Sequence, residues 1–208
     1  MLARVDARRL TLDEEISFDA GKIIDHSPVV SRHAQQGHMN VEGLARAAVV
    51  ASDNTAANLL LTRVGGPSGL TAFLRAHGDL GTRLDRNEPT LNTNHVGDAR
   101  DTTTPRTMVA TLGTLLTTPA LSTASRERLI EWMVSCETGK DRLRAGLPQD
   151  WRVADKTGSG ERGATNDVAM AWPPGRAPVL IAAYMSDSSS PPAVLCSAHA
   201  ELGRPPPP

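Results

Sequence analysis

Three short clusters of polar residues stand out because their residue types could together perform acyl-transfer chemistry. They are Ser52-Asp53-Asn54, Glu88-Pro89-Thr90-Leu91-Asn92 and Lys156-Thr157-Gly158. A hydroxyl, a carboxylate and an ammonium group are the side chains that general acid–base chemistry at an acyl centre uses. Each cluster alone has a simpler explanation, namely a helix N-cap, a turn and the end of a strand. Their joint occurrence in this order favours a common site.

The chain lacks one motif that such a site needs. Acyl transfer also needs a nucleophile, and a serine three residues before a lysine, Ser-x-x-Lys, is one known arrangement of it. The chain has three lysines, and the residue three positions before each is not a serine: Asp19, Glu137 and Val153 precede Lys22, Lys140 and Lys156. These 208 residues therefore contain the surroundings of an acyl-transfer site without its nucleophile.

Composition narrows the function classes. A chain of 208 residues with a net charge of −1 suits one domain with two lobes, and gives no field that would attract nucleic acid or an anionic membrane. No apolar run approaches the roughly 18 residues of a membrane span, and no signal peptide is recognised after Met1. The six histidines show no ligand spacing, so no metal and no cofactor are expected. Cys136 and Cys196 are expected to be two separate thiols, and the protein a monomer.

The secondary structure that must position the three clusters is predicted to change from helices to strands along the chain. Residues 1–147 are predicted to be a mainly helical lobe, 148–186 a three-stranded antiparallel sheet, and 187–208 a weak helix with a disordered Pro-rich tail. The tail of a helix is expected at residues 1–5, and a long irregular loop at 81–101. Further helices are predicted at 41–50, 54–64, 68–77, 104–116 and 125–134, and strands at 151–156, 167–172 and 179–185. The segment Gly158-Ser159-Gly160 is predicted to be a turn.

Ser-Asp-Asn and Lys-Thr-Gly are two of the three motifs of class A serine β-lactamases and penicillin-binding proteins. The segments 83–92 and 98–105 also resemble the two ends of the Ω-shaped loop of class A enzymes, with Arg86 and Asp101 where that family clamps the loop ends. The chain thus resembles the class A serine β-lactamases, within the penicillin-recognising serine hydrolases. The resemblance implies an α/β (α+β) fold, β-lactamase/transpeptidase-like. An all-helical lobe would join a partial antiparallel sheet flanked by helices, with the family's first helix and two N-terminal strands missing.

The resemblance also implies catalytic roles. Glu88 would be the base that directs a water molecule at the acyl ester, and Asn92 would hold the same water. Ser52 would pass a proton to the leaving ring nitrogen. Lys156 would orient Ser52 and keep the site positive.

Further residues match substrate-binding positions of the family. Asn54 would hold the side-chain amide of the substrate. Thr157 and Ser159 would hold its carboxylate, with Arg142 as the charge partner. His26 lies where the family places a gate residue at the pocket mouth.

The function implied is β-lactam hydrolysis, and hence antibiotic resistance, through an acyl-serine intermediate in a secreted or periplasmic enzyme. The nucleophile and its lysine are expected within about two helical turns before Met1, so these 208 residues are expected to be inactive or a truncated gene product. The alternatives are a non-catalytic pseudo-enzyme that binds β-lactams or peptidoglycan, and a decayed gene fragment. A peptidase of cell-wall peptides would not explain the glutamate loop.

Overall fold

The computed structural model describes residues 1–204, in which a helical part is followed by a three-stranded antiparallel sheet. The helices are α1 (Leu2–Asp6), α2 (Val41–Val50), α3 (Asn54–Arg63), α4 (Gly66–Ala76), α5 (Pro105–Thr117), α6 (Thr123–Val134), α7 (Leu143–Gly146) and α8 (Pro192–Gly203). The strands are β1 (Glu15–Ser17), β2 (His38–Asn40), β3 (Arg152–Ser159), β4 (Thr165–Trp172) and β5 (Val179–Met185). The mixed fold of helices and antiparallel sheet agrees with the prediction.

Four of the long helices begin at polar side chains that cap them. Asn40, Asp53, Thr104 and Ser122 each accept a hydrogen bond from a backbone N–H of the first turn of α2, α3, α5 and α6. Such caps satisfy N–H groups that have no partner inside the helix. All five predicted longer helices, including α4, which has no side-chain cap, begin and end within two residues of their predicted positions.

The sheet has the strand order β3-β4-β5, and its first strand is longer than predicted. The pairing of β3 with β4 runs from Arg152 opposite Trp172 to Ser159 opposite Thr165. The Lys-Thr-Gly motif therefore lies inside β3, and the prediction of a turn at residues 158–160 was wrong. Continued ladder hydrogen bonding overrides the local turn preference, and the turn is closed instead by the Gly160 N–H donating to the Ala164 carbonyl at 2.9 Å.

The C-terminal helix packs closely on the rest of the sheet lobe. A Cβ on Gly146 would lie 1.7 Å from the Ala200 carbonyl oxygen, and one on Gly203 would lie 2.5 Å from that of Leu143. Only glycine allows α7 and α8 to approach so closely. Helix α8 spans 12 residues, where the sequence indicated only a weak helix. The tail residues 205–208, which were expected to be disordered, lie outside the described part of the chain.

An apolar cavity of about 590 Å³ opens among α1 to α6, next to the main helical core. Its walls include Ala48 and Val49 of α2, Leu60 of α3, and Phe73 of α4. The Met1 amino group lies at this cavity, and burial lowers the pKa of that group. The helical lobe is thus close-packed on one side of α2 and hollow on the other. No helix within residues 1–204 is both long and apolar enough to cross a membrane.

Candidate active site

Ser52 is held between two helices and hydrogen-bonded to a lysine from the sheet. It connects α2 to α3 with a φ of 54°, a left-handed conformation that non-glycine residues rarely adopt. Lys156 projects from β3 and its Nζ donates to Ser52 Oγ and to the Thr157 carbonyl, the latter at 2.8 Å. Burial lowers the pKa of Lys156, an effect that nearby acidic groups partly oppose. The structure therefore joins two predicted site residues that lie 104 positions apart.

The conformation of Ser52 depends on its neighbour Asp53. The Asp53 side chain is fully buried and accepts three backbone N–H groups, from Val29, Val30 and Ala56, each at 2.9 Å. The last of these contacts caps α3, while the first two tie the helix start to the segment before it. Within the Ser-Asp-Asn motif, Asp53 is therefore the N-cap of α3, and Ser52 is the residue that contacts Lys156.

Glu88 and Asn92 form a pair in the irregular loop. Asn92 ends a turn of 3₁₀ helix that begins at Thr90, and its Nδ2 donates to Glu88 Oε2 at 2.5 Å. Asn58 of α3 holds the backbone of Glu88 on both sides, because its Oδ1 accepts the Glu88 N–H at 3.0 Å and its Nδ2 donates to the Glu88 carbonyl at 2.9 Å. Burial raises the pKa of Glu88, while the Asn92 hydrogen bond and the charges of Lys156 and His26 oppose the rise. A positioned carboxyl group with a raised pKa suits a general base.

The loop that contains Glu88 is closed by the predicted pair of Arg86 and Asp101. The Arg86 Nε donates to Asp101 Oδ2 at 2.6 Å. The other oxygen, Asp101 Oδ1, accepts the N–H groups of Asp85 at 2.7 Å and Arg86 at 3.0 Å. One carboxylate that is 3% exposed thus fastens both ends of the loop. Rigid positioning of this kind is what proximity catalysis requires.

Replacing Asp101 with asparagine should loosen the loop without unfolding the protein. The variant loses charge-assisted hydrogen bonds, so we expect a destabilisation of about 1–3 kcal/mol. Hydrogen exchange of the amides between residues 85 and 101 should accelerate more than that of the sheet. The exposed Asp150→Asn variant is the control, since Asp150 makes no side-chain hydrogen bond among the described residues. Equal exchange rates in the two variants would show that Asp101 does not order the loop.

The predicted carboxylate-binding residues meet at the end of β3. The guanidinium group of Arg142 donates to Ser159 Oγ at 2.7 Å and to the carbonyls of Gly158 at 2.8 Å and Asn166 at 2.5 Å. Thr157 lies on the same strand, two residues before Ser159. A cation and two hydroxyl groups converge here, which is a suitable environment for a carboxylate.

Asn54 and His26 lie together at the start of α3. The Asn54 backbone N–H donates to the His26 carbonyl at 3.0 Å, and its side-chain amide donates to the Asp25 carbonyl at 3.1 Å. His26 is exposed and has a φ of 56°. The backbone contact with Asn54 places His26 beside the Ser-Asp-Asn motif.

Comparison with known proteins identifies the family. A family model described as "Beta-lactamase enzyme family" matches residues 1–201. The chain belongs to this family. An ancestral class A β-lactamase, the last common ancestor of Gram-negative bacteria, is 54% identical, with a TM-score of 0.96 over 98% of this chain and 77% of that one. The putative class A β-lactamase PenP from Rhodopseudomonas palustris is 46% identical, with a TM-score of 0.95 over 97% of this chain and 77% of that one.

Several residues that shape this class A site were missed by the sequence analysis. Asn58 lies in an ordinary helical stripe, and nothing local indicates that it holds Glu88 from 30 residues away. Thr138 lies beside the site, with its Oγ1 at 2.5 Å from that of Thr157. Asp155 is fully buried and paired with Arg144, whose Nε donates to it at 2.8 Å. The acidic residue Asp155, directly before the Lys-Thr-Gly motif, was the one feature of the sequence that could have indicated such a buried charge.

Proposed function

We propose that these residues supply the β-lactam-binding and deacylating groups of a class A β-lactamase that works through an acyl-serine intermediate. The observation that supports this most directly is the Glu88–Asn92 pair at 2.5 Å, clamped in a loop and influenced by the charge of Lys156. A structural loop would not need a half-buried carboxyl group with a raised pKa. A base that must direct a water molecule does.

The chemistry assigns each group a step. A serine oxygen attacks the β-lactam carbonyl carbon as its proton passes to a base, and the ring C–N bond breaks. Ser52 delivers its proton to the departing nitrogen and takes up the proton held by that base. Water then attacks the acyl ester while Glu88 takes its proton, and the serine oxygen leaves and regains a proton. Thr157, Ser159 and Arg142 hold the substrate carboxylate throughout. The attacking serine of a Ser-x-x-Lys motif is not among the 208 residues.

We therefore expect the 208 residues on their own to bind β-lactams without forming an acyl-enzyme. Loss of a nucleophile leaves only the residual contribution of binding and electrostatics. A pseudo-enzyme for peptidoglycan fragments is the less economical proposal, because Glu88 and Asn92 would then have no ester to hydrolyse. A decayed fragment predicts no saturable binding at all.

The test compares two proteins. The first is the 208-residue chain, which should bind benzylpenicillin in calorimetry and show no covalent adduct by intact-mass spectrometry. The second carries, before Met1, the N-terminal segment of the ancestral class A enzyme, and should hydrolyse benzylpenicillin. In that second protein, Glu88→Gln should slow deacylation by about 10²- to 10⁴-fold, so that the acyl-enzyme accumulates.

The matched control is Glu127→Gln, which removes an exposed carboxylate of α6 far from the loop in sequence. It should leave turnover unchanged. Hydrolysis by the 208 residues alone would overturn the expected lack of acylation. An extended protein that folds but does not turn over benzylpenicillin would overturn the assignment of these residues to β-lactam hydrolysis.

A further inference from the structure

Three side chains form a continuous hydrogen-bonded chain from the protein interior to the carboxylate-binding site. The Cys136 Sγ lies 3.3 Å from Thr138 Oγ1, and Thr138 Oγ1 lies 2.5 Å from Thr157 Oγ1. Cys136 is 3% exposed, whereas Thr138 and Thr157 are half-buried. A buried thiol is thus linked, through one hydroxyl group, to a hydroxyl group assigned to the substrate.

The number of protons available gives this series of hydrogen bonds a donor-to-acceptor direction. A threonine hydroxyl has one proton to donate and two lone pairs, and a thiol likewise has one proton. If Thr157 gives its proton to a substrate carboxylate, it can only accept from Thr138. Thr138 then has no proton left for the sulfur, so the thiol must donate to Thr138.

We propose that Cys136 and Thr138 are positioning residues that orient the Thr157 proton towards the substrate carboxylate. The inference rests on the proposed function, which assigns that carboxylate to Thr157. Hydrogen bonds in such a chain polarise one another, and their direction decides whether the last group presents a proton or a lone pair. With the opposite direction, Thr157 would face the carboxylate with a lone pair and repel it.

Asp155 is the group that could reverse the direction. Burial raises the pKa of this carboxyl group, and Arg144 and the hydrogen-bonding capacity of the Cys136 thiol partly oppose the rise, so Asp155 is a second candidate acceptor for the thiol proton. Arg144 holds Oδ1 at 2.8 Å, while Oδ2 has no hydrogen-bond partner within residues 1–204. Thr138 is therefore the observed partner of the thiol, and a thiol that donated to Asp155 instead would contradict the proposal.

The first measurement needs no ligand. In a Cys196→Ala background, Cys136 is the one remaining cysteine, so its S–H stretching band can be observed by infrared spectroscopy. Thr138→Val removes the acceptor at nearly constant volume and should move the band to that of a free thiol, whereas Thr138→Ser should leave it in place. An unmoved band in Thr138→Val would mean that the thiol donates elsewhere, and would overturn the direction proposed.

The second measurement separates orientation from a general structural effect. Benzylpenicillin and its methyl ester differ in the carboxylate, so their affinities for each variant can be compared by calorimetry. Thr138→Val should bind the acid roughly 10- to 100-fold more weakly, because a hydrogen bond to a charged group is lost, and should bind the ester nearly as wild type does. Thr138→Ser should restore acid binding, and Cys136→Ser should retain it because its hydroxyl can still donate.

The outcomes distinguish the two proposals. Equal weakening of acid and ester in Thr138→Val, with Thr138→Ser unaffected, would indicate a packing role and overturn the positioning role. If the unmutated chain bound neither ligand, the proposed function would fail, and the infrared result alone would decide the direction of the hydrogen-bonded chain. Circular dichroism melts of each variant verify that it is folded before either measurement.

Discussion

Replacing Asp167 with asparagine should stabilise the protein at neutral and alkaline pH. The Asp167 side chain is fully buried on β4. Its Oδ2 accepts the Leu143 N–H at 3.1 Å, whereas Oδ1 has no hydrogen-bond partner in the described part of the chain. Burial, together with the charge of Asp155, raises the pKa of Asp167 to about 7. A carboxylate forced to ionise here lacks both water and a full set of partners.

The sign of the pH dependence follows from proton binding. Because the folded-state pKa is raised, the folded protein holds this proton at pH values where the unfolded chain has released it. The favourable contribution is therefore complete below about pH 4 and is lost as the pH rises through about 7. At roughly 1.4 kcal/mol for each pKa unit, the loss amounts to about 4 kcal/mol, since the attraction of Arg142 and Arg144 is already contained in the raised pKa.

Urea unfolding of wild type and Asp167→Asn between pH 4 and 8 would measure this difference. The free energies of unfolding should be similar at pH 4 and diverge in favour of the variant as the pH rises. Asp155→Asn is the contrasting control, since Asp155 is equally buried but paired with Arg144, and its loss should destabilise the protein. Parallel pH curves for wild type and Asp167→Asn would contradict the prediction.

Replacing Asp53 with alanine should cause the largest loss of stability among single changes near the site. Three backbone N–H groups would lose their acceptor, those of Val30 and Ala56 in buried positions and that of Val29 in a half-buried one. Each unsatisfied buried donor costs on the order of 1–3 kcal/mol, so a total of about 3–5 kcal/mol is expected after relaxation. At roughly 2–4 °C per kcal/mol for a chain of this size, the melting temperature should fall by about 10 °C or more.

The control for this variant is Asp19→Ala. Asp19 also caps a short helix, by accepting the Gly21 N–H at 2.8 Å, but it is exposed, so the cost should be about 1 kcal/mol or less. Thermal unfolding followed by circular dichroism compares the two. Similar melting temperatures for both variants would mean that water replaces the Asp53 hydrogen bonds, contrary to the burial argument. Asp53→Ala should also release Ser52 from its left-handed conformation, because the same carboxylate fixes the residues that follow it.

The fold was predictable where local chemistry and tertiary packing agree. The capping side chains Asn40, Asp53 and Thr104 mark the helix starts, and the periodic spacing of apolar residues predicts how far each helix continues. The two-stranded sheet of β1 and β2 was missed, because three residues per strand are too few to show alternation.

The candidate site was predictable by residue type but not by contact. Motif spacing indicated Ser52, Glu88 and Lys156, yet long-range hydrogen bonds such as those of Asn58 leave no trace in local sequence. The same holds for Cys136, which composition alone classifies as a small buried hydrophobe. Its neighbour Thr138 contacts Thr157, 19 residues further along the chain, only when the segment after α6 packs against β3.

The hollow side of α2 has a consequence for how stability varies with temperature. The walls of the cavity of about 590 Å³ keep part of their apolar surface accessible in the folded state. Unfolding therefore exposes slightly less new apolar surface than the chain length suggests, and the heat-capacity change should lie only a few per cent below the ~2.5–3 kcal/mol/K that 208 residues would otherwise give. A difference this small leaves the curve of stability against temperature close to that of a fully packed domain of equal length.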